Sequence, residues 1–294
     1  MPSPNNMRIM TNINLQTSVT ASSTASGYSV TNMLSNPKGL TWRSTTTQAA
    51  LIVDLGSITT VGGVVAAFSN FSSSATIRVL GFTSAPAFNG NLINSTPSPI
   101  YNSGTINCCP WNTISYPNIS TTMSNVYSFG GGTYSRVWTP TINSTATVRY
   151  LGIEINDPGN QFGYLEIGRL CVGPYWSPVH NPGYGMEAGV VDNTELYRTE
   201  NGDLLGVLRP RWRTLKFDLQ WINHRDRKAL KDIMQNARGS STPVFVSLFP
   251  DSTGADEDFQ REDSHQILGR WVTLPGVSYT SPEIYSASFE IEEM

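Results

Sequence analysis

The chain has 294 residues, 39% of them hydrophobic, a formal net charge of −3 and three cysteines. That length allows two domains of ordinary size. The weakly acidic balance excludes a general basic field for gathering nucleic acid or anionic lipid. Charge is also unevenly spread: residues 1–174 hold 7 Lys/Arg and 4 Asp/Glu, whereas residues 175–294 hold 12 and 18. A nearly uncharged Ser/Thr/Asn/Gly-rich part is thus followed by one of ordinary globular composition, with the break near residue 174. Cys108, Cys109 and Cys171 are odd in number and form no CxxC pair, so a reducing site of synthesis is expected. The N-terminus has no basic-then-apolar leader and no apolar run approaches about 18 residues, so neither a signal peptide nor a membrane span is expected.

In chain order, residues 1–13 contain Pro2, Pro4 and Asn5-Asn6 without periodicity and read as a flexible arm. Residues 14–173 carry strand signals and no helical stripe. Residues 49–55 (AALIVDL), 61–69 (VGGVVAAFS) and 75–82 (ATIRVLGF) are bounded by Ser, Asn, Gly or Pro, a pattern that predicts a β-sandwich. Residues 84–145 are rich in Ser, Thr, Asn and Pro but also in aromatics, and read as loop elaboration. Residues 148–155 and 164–172 flank Asn156-Asp157-Pro158-Gly159-Asn160, turn chemistry that predicts a closing β-hairpin. Gly173-Pro174, Pro178, Pro182 and Gly183 then mark a linker over 174–188.

The second domain is expected over 189–294. Asn201-Gly202 predicts a hairpin between residues 189–198 and 204–209. Residues 214–222 alternate strictly, placing Leu215, Phe217, Leu219 and Trp221 on one face of a strand. Asn223 is a helix cap, and Ala229, Leu230, Ile233, Met234 and Ala237 form one helical stripe near 224–237. Strands follow at 242–249, 266–274 and 285–292, with an acidic surface loop at 251–263.

In the first part, Thr20-Ala21-Ser22-Ser23, Tyr28, Asn32-Met33-Leu34, Trp42-Arg43-Ser44, Ile52-Val53-Asp54-Leu55-Gly56, Asn70 and Ala75-Thr76-Ile77-Arg78-Val79 occur in that order. Arg149-Tyr150-Leu151, Ile153-Glu154-Ile155 and Tyr164-Leu165-Glu166-Ile167-Gly168-Arg169 complete the set. Residues 14–173 thereby resemble a discoidin-like (coagulation factor 5/8 type C-like) β-sandwich, although the three cysteines do not supply the disulfide that often clamps secreted members. The ending Ile167–Gly173, Tyr184-Gly185 and the strand–helix–strand unit beyond resemble structural proteins of long-tailed bacteriophages. That resemblance implies a mainly β chain: a discoidin-like sandwich, then a tail-tube-like β-sandwich or barrel with one α-helix. It further implies a distal tail protein in the virion, made in the host cytoplasm. A hexameric ring would join tail tube protein to baseplate hub proteins, with the sandwich facing outward for protein docking or weak glycan contact. The alternative is a carbohydrate-binding module or lectin acting in host adsorption.

Site candidates follow, each beside a plainer reading. Asp157, Asn160 and Glu166 offer oxygen ligands for the structural calcium often carried by discoidin-like domains; an Asx turn at Asp157 competes. Trp42, Arg43, Trp111, Tyr116 and Trp138 are candidate glycan-platform residues; the family resemblance implies a core place for Trp42, and for Trp111 and Trp138 core or subunit contact is equally open. Arg209, Arg211, Arg213 and Lys216 are expected at a ring interface in place of nucleic acid. Gly168-Arg169 and Gly173-Pro174 are expected to fix the geometry between the domains. His224-Arg225-Asp226 lacks the other kinase elements, Gly130-Gly131-Gly132 lacks a following Lys-Ser/Thr, and no catalytic constellation emerges. An enzyme is not expected.

Overall fold

The computed structural model describes residues 6–72, 74–94, 96–108, 133–138, 147–207, 209–236, 239–250 and 265–294. Cys109, Gly130-Gly131-Gly132 and the acidic segment 251–263 lie outside them. The chain is mainly β, as expected. The first strands are β1 (Arg8–Met10), β2 (Ser18–Ala21), β3 (Trp42–Arg43), β4 (Gln48–Thr59), β5 (Gly63–Ser69) and β6 (Thr76–Phe82). Short pieces β7 (Phe88–Asn89), β8 (Leu92–Ile93), β9 (Tyr101–Asn102) and β10 (Ile106–Asn107) follow, then β11 (Thr133–Trp138), β12 (Val148–Asn156) and β13 (Glu166–Gly173).

Two sheets face each other across one core. The first runs β10-β6-β12-β4-β2 with β9 on β6, and the second runs β11-β5-β13-β3. Leu51, Val53, Val79 and Ile153 of the first meet Val64, Ala66, Ile167 and Val172 of the second. β12 and β13 do not form the expected hairpin. β12 has both edges filled by β4 and β6, and β13 has both filled by β5 and β3, so the chain between them crosses from one sheet to the other.

The remainder comprises β14 (Glu187–Asp192), β15 (Glu195–Arg198), β16 (Leu204–Val207), β17 (Arg211–Ile222), α1 (His224–Asn236), β18 (Val244–Ser247), β19 (Gln266–Trp271), β20 (Ser278–Ser281) and β21 (Ile284–Glu293). Seven strands build its main sheet, in the order β1-β18-β19-β21-β17-β14 with β20 on β21. The alternation in β17 puts Leu215, Phe217 and Leu219 into the core beside Leu230 of α1. The register then slips between Leu219 and Ile222. This irregularity overturns the expected place of Trp221: Ile222 takes the core position and Trp221 is exposed. Asn223 caps α1 by accepting the Asp226 N–H at 2.8 Å.

β1 belongs to this second sheet, pairing antiparallel with β18. The expected flexible arm is therefore corrected over residues 6–13. Met7 and Ile9 enter the second core, while Met10 and Ile13 pack between the domains. Ile9 exchanges both backbone hydrogen bonds with Trp176, and Asn6 Nδ2 donates to the carbonyls of Pro178 and Val179. Linker and N-terminal segment thus clamp each other.

β5 (GVVAAFS) is buried throughout. Its Val64 and Ala66 face the sandwich core, whereas Val65 and Ala67 join Cys171, Phe245 and Leu268 in an apolar layer between the domains. A strand covered on both faces reads as a continuous run of small apolar residues. The layers are stacked in the order six-stranded sheet, four-stranded sheet, second domain.

Candidate functional site

The crossing loop after β12 is organised by Asp157, which is fully buried. Its carboxylate accepts the Ser72 N–H at 2.8 Å, the Ser74 hydroxyl at 3.2 Å, the Asn160 amide at 3.1 Å and the Ser72 hydroxyl. Asn160 also donates to Asn70 O at 3.3 Å and accepts the Phe162 N–H at 2.9 Å. Two loops that each cross from one sheet to the other, after β5 and after β12, are tied together through one carboxylate. The chemistry is that of an Asx-centred lock: donors converge on the oxygens a cation would need.

Glu166 faces elsewhere. Its carboxylate accepts the Thr41 hydroxyl at 2.6 Å and pairs with Arg43 Nε at 3.1 Å. The three expected calcium ligands therefore do not fit a cation. Asp157 and Asn160 are satisfied by protein donors and Glu166 by a guanidinium.

Arg43 in turn lies between two tyrosines, 4.1 Å from the Tyr28 ring and 4.7 Å from the Tyr164 ring. Phe162, 52% exposed, stands 6.0 Å from Tyr164. The loop end of the sandwich thus presents a stacked Tyr–Arg–Tyr unit, a carboxylate and an exposed aromatic rim. Sequence reasoning named Arg43 as a platform candidate but did not bring Tyr28, Tyr164, Phe162 and Glu166 to it. Tyr28, Arg43, Tyr164 and Glu166 were visible as family-like positions, but no local spacing brings Tyr28 to Tyr164. Of the expected platform residues, Trp111 and Tyr116 lie outside the described residues. Trp138 is described only as the last residue of β11, opposite Gly63.

A second surface is a ribbon. β14 pairs with β17, and further out β15 pairs only with β16 among the described residues. Thr199 to Asp203 close its tip, with Gly202 at φ +86°. Every residue of β15 and β16 is exposed, including Leu196 at 65% and Leu204 at 55%. The four expected interface residues sit at or near the ribbon's root; the charged groups of Arg209, Arg211 and Lys216 meet carboxylates of their own chain, and Arg213 meets one through its backbone N–H. Arg209 pairs with Glu195 at 3.2 Å, Arg211 with Asp192 at 3.0 Å and Lys216 with Glu290 at 2.9 Å. The Arg213 N–H donates to Glu293 at 3.4 Å. Antiparallel register sets Arg211 opposite Asp192 and Lys216 opposite Glu290, so these are cross-strand pairs within the chain. The bond to Glu290 holds the Lys216 ammonium above its ordinary range, and the Thr194 hydroxyl and N–H hold Asp192 below its own.

The seam between the domains is close-packed. A Cβ on Gly173 would fall 1.8 Å from the Asn12 carbonyl oxygen. Arg169, itself buried, donates to Asn14 Oδ1 at 2.7 Å. Across the same seam Lys38 reaches Glu293 at 3.5 Å, and burial lowers the Lys38 pKa.

No protein-family model matches the chain, and no curated protein matches it. Solved structures similar to part of it include chitosan-binding module 1 of a chitosanase/glucanase from Paenibacillus sp. IK-5, at 18% identity and TM-score 0.34, covering 56% of this chain and 98% of that one. A Streptococcus pneumoniae fucose binding module matches at 12% identity and TM-score 0.33, covering 59% and 98%. The family 32 carbohydrate-binding module of C. perfringens NanJ, solved with galactose, matches at 11% identity and TM-score 0.34, covering 57% and 99%.

Proposed function

We propose that the chain is a non-enzymatic structural protein whose second domain joins copies into a closed ring and whose sandwich is displayed as a docking surface. The observation that carries the assembly reading is the ribbon. β15 and β16 pair only with each other among the described residues, and expose Leu196, Tyr197, Leu204, Leu205 and Val207. The register puts Tyr197, Leu205 and Val207 on one face and Leu196 and Leu204 on the other, so both faces of the ribbon carry exposed apolar side chains. A lone two-stranded hairpin is marginal in water, and exposed apolar surface of this kind marks an association site. A neighbouring copy laid against the ribbon buries those side chains and pairs its open edges. Because the ribbon meets a different surface of the next copy, the contact is heterologous and generates a ring when the rotation closes. Placement at the distal end of a phage tail, with six copies and with tail-tube and baseplate proteins as neighbours, rests on the sequence resemblance.

Sedimentation velocity tests the assembly. The native chain is expected to sediment as a closed oligomer, and L196D/L204D as a folded monomer. A native chain that stays monomeric at high concentration sinks the reading.

A second reading makes carbohydrate binding by the sandwich the principal activity. It is favoured by the Tyr28–Arg43–Tyr164 stack beside Glu166 and the exposed Phe162. Aromatic faces cover saccharide C–H surfaces, and a few fixed polar groups orient hydroxyls. Chitosan oligomers, fucose and galactose are the first probes. Binding that Phe162→Ala abolishes supports this reading; an array on which no glycan is retained removes it.

A further inference from the structure

A groove of about 760 Å³ runs beside α1. Arg227, Lys228 and Lys231 form one wall, and Leu274, Tyr279 and Tyr285 contribute to the other. Arg227 is held in place, donating to the Tyr285 hydroxyl at 3.2 Å and lying 4.7 Å from that ring. Lys228 and Lys231 are exposed, and among the described residues no Asp or Glu lines the groove. The result is a cationic strip over an apolar, aromatic wall.

The same chain carries its chemical complement. Residues 251–263, which lie in sequence between β18 and β19, hold six Asp/Glu and one Arg. We propose that the groove beside α1 accepts the acidic 251–263 segment of the neighbouring copy, as the electrostatic part of the ring contact. The inference rests on the assembly reading and deepens it. A heterologous interface needs two different, complementary patches on one chain, and here the two signs of charge are gathered in separate stretches of the sequence, residues 227–231 and 251–263. In sequence, Asp256-Glu257-Asp258 offers three consecutive carboxylates to the cations of α1, and Phe259 beside them is an apolar residue suited to the Leu274 and tyrosine wall. Exposed charges of this kind are screened over about 8 Å at physiological ionic strength, so the contact is salt-sensitive while the ribbon contact is not.

The experiment is a charge swap in the full chain, read by sedimentation velocity at low and high salt. One variant carries K228E/K231E and the other D256K/E257K/D258K. All substituted positions lie on the exposed side of α1 or in the acidic segment, and circular dichroism checks that both variants fold. Each variant alone is expected to associate at least about tenfold more weakly than the native chain, the size of effect typical of disrupting close charge pairs. An equimolar mixture should recover assembly, because each reversed groove then meets a reversed segment. Carbodiimide cross-linking of mixed isotope-labelled and unlabelled copies should join Lys231 to the acidic segment between copies. If the native chain does not associate at all, the assembly reading fails. If it associates and the two variants do so equally well, the groove assignment fails and the ribbon reading stands. Weakening without recovery in the mixture, or cross-links only within a copy, also overturns the groove assignment.

Discussion

At the scale of single residues, Asp157 ties the loops of the sandwich together and Cys171 sits in the seam behind it. Asp157 gathers four donors in a fully buried place. Asp157→Ala strands those donors, and a loss of about 3 kcal/mol is expected, visible as a lower urea midpoint. The lock needs no cation, so EDTA should leave the melting temperature unchanged. Cys171 lies in the apolar layer between the domains, where burial pushes its thiol up to about 12 from an ordinary 9.0 against the opposing pull of Arg169. The folded chain holds this proton more tightly than the unfolded chain does. Stability from this group is complete below pH 9 and declines as pH rises from about 9 towards 12. Cys171→Ala should flatten that alkaline decline in a pH series of denaturation midpoints, and thiol reagents should label native Cys171 only on unfolding.

Among the elements, β13 holds the molecule together. One face fills the sandwich core, the other lines the seam, and its last residue lies under the Asn12 backbone. Gly173→Ala forces the N-terminal segment off this strand, since its Cβ would stand only 1.8 Å from the Asn12 carbonyl oxygen, a backbone atom that must then move. Faster proteolysis between residues 6 and 16, with the sandwich itself intact, is the expected outcome. Strands with a local pattern were legible in the sequence, β5 as an apolar run within residues 61–69 and β17 as an alternation over 214–222, whereas exposed β20 was not. β17 alternates Leu215, Phe217 and Leu219 with Lys216, Asp218 and Gln220, and α1 shows its apolar stripe; both are local periodicities. The closing hairpin misled because turn residues specify a reversal of direction and not the partner of the returning strand. Asn156 to Asn160 reverse the chain, but the hydrogen-bonding edges of β12 were already taken. Trp221 misled because a register slip leaves no mark on a period-two pattern.

On the scale of the whole molecule, the second sheet is closed by both ends of the chain, β1 at one edge through β18 and the rest from residue 187 onward. Deleting residues 6–13 removes Met7 and Ile9 from the second core and Met10 and Ile13 from the seam. The truncated chain should lose the single cooperative transition expected of the intact one and melt in two steps by calorimetry, the second domain first. None of this was readable from residues 1–13, because a three-residue strand has no period and its partner lies more than two hundred residues away. The candidate glycan surface was hidden for the same reason: Tyr28, Arg43, Tyr164 and Glu166 become neighbours only through the β3–β13 pairing. The apolar ribbon was half visible, since Asn201-Gly202 announced the turn while the exposure of Leu196 and Leu204 is a property of what the ribbon fails to touch.

The chain enters the sandwich after Ile13 and is about to leave it at Val172, and these two points are joined directly: Val172 N–H donates to Ile13 O at 2.9 Å and Leu15 N–H to Val172 O at 3.0 Å. A module whose two ends meet in this way is an exchangeable cassette. A different domain with adjacent termini can be seated at the same junction while β1 keeps its place on β18, so recognition can be replaced without redesigning the sheet. The condition on any replacement is set by Met10, Ile13, Phe245 and Leu268. It must bring an apolar face to cover them, as Val65 and Ala67 do here, or the host domain is left with an open hydrophobic patch.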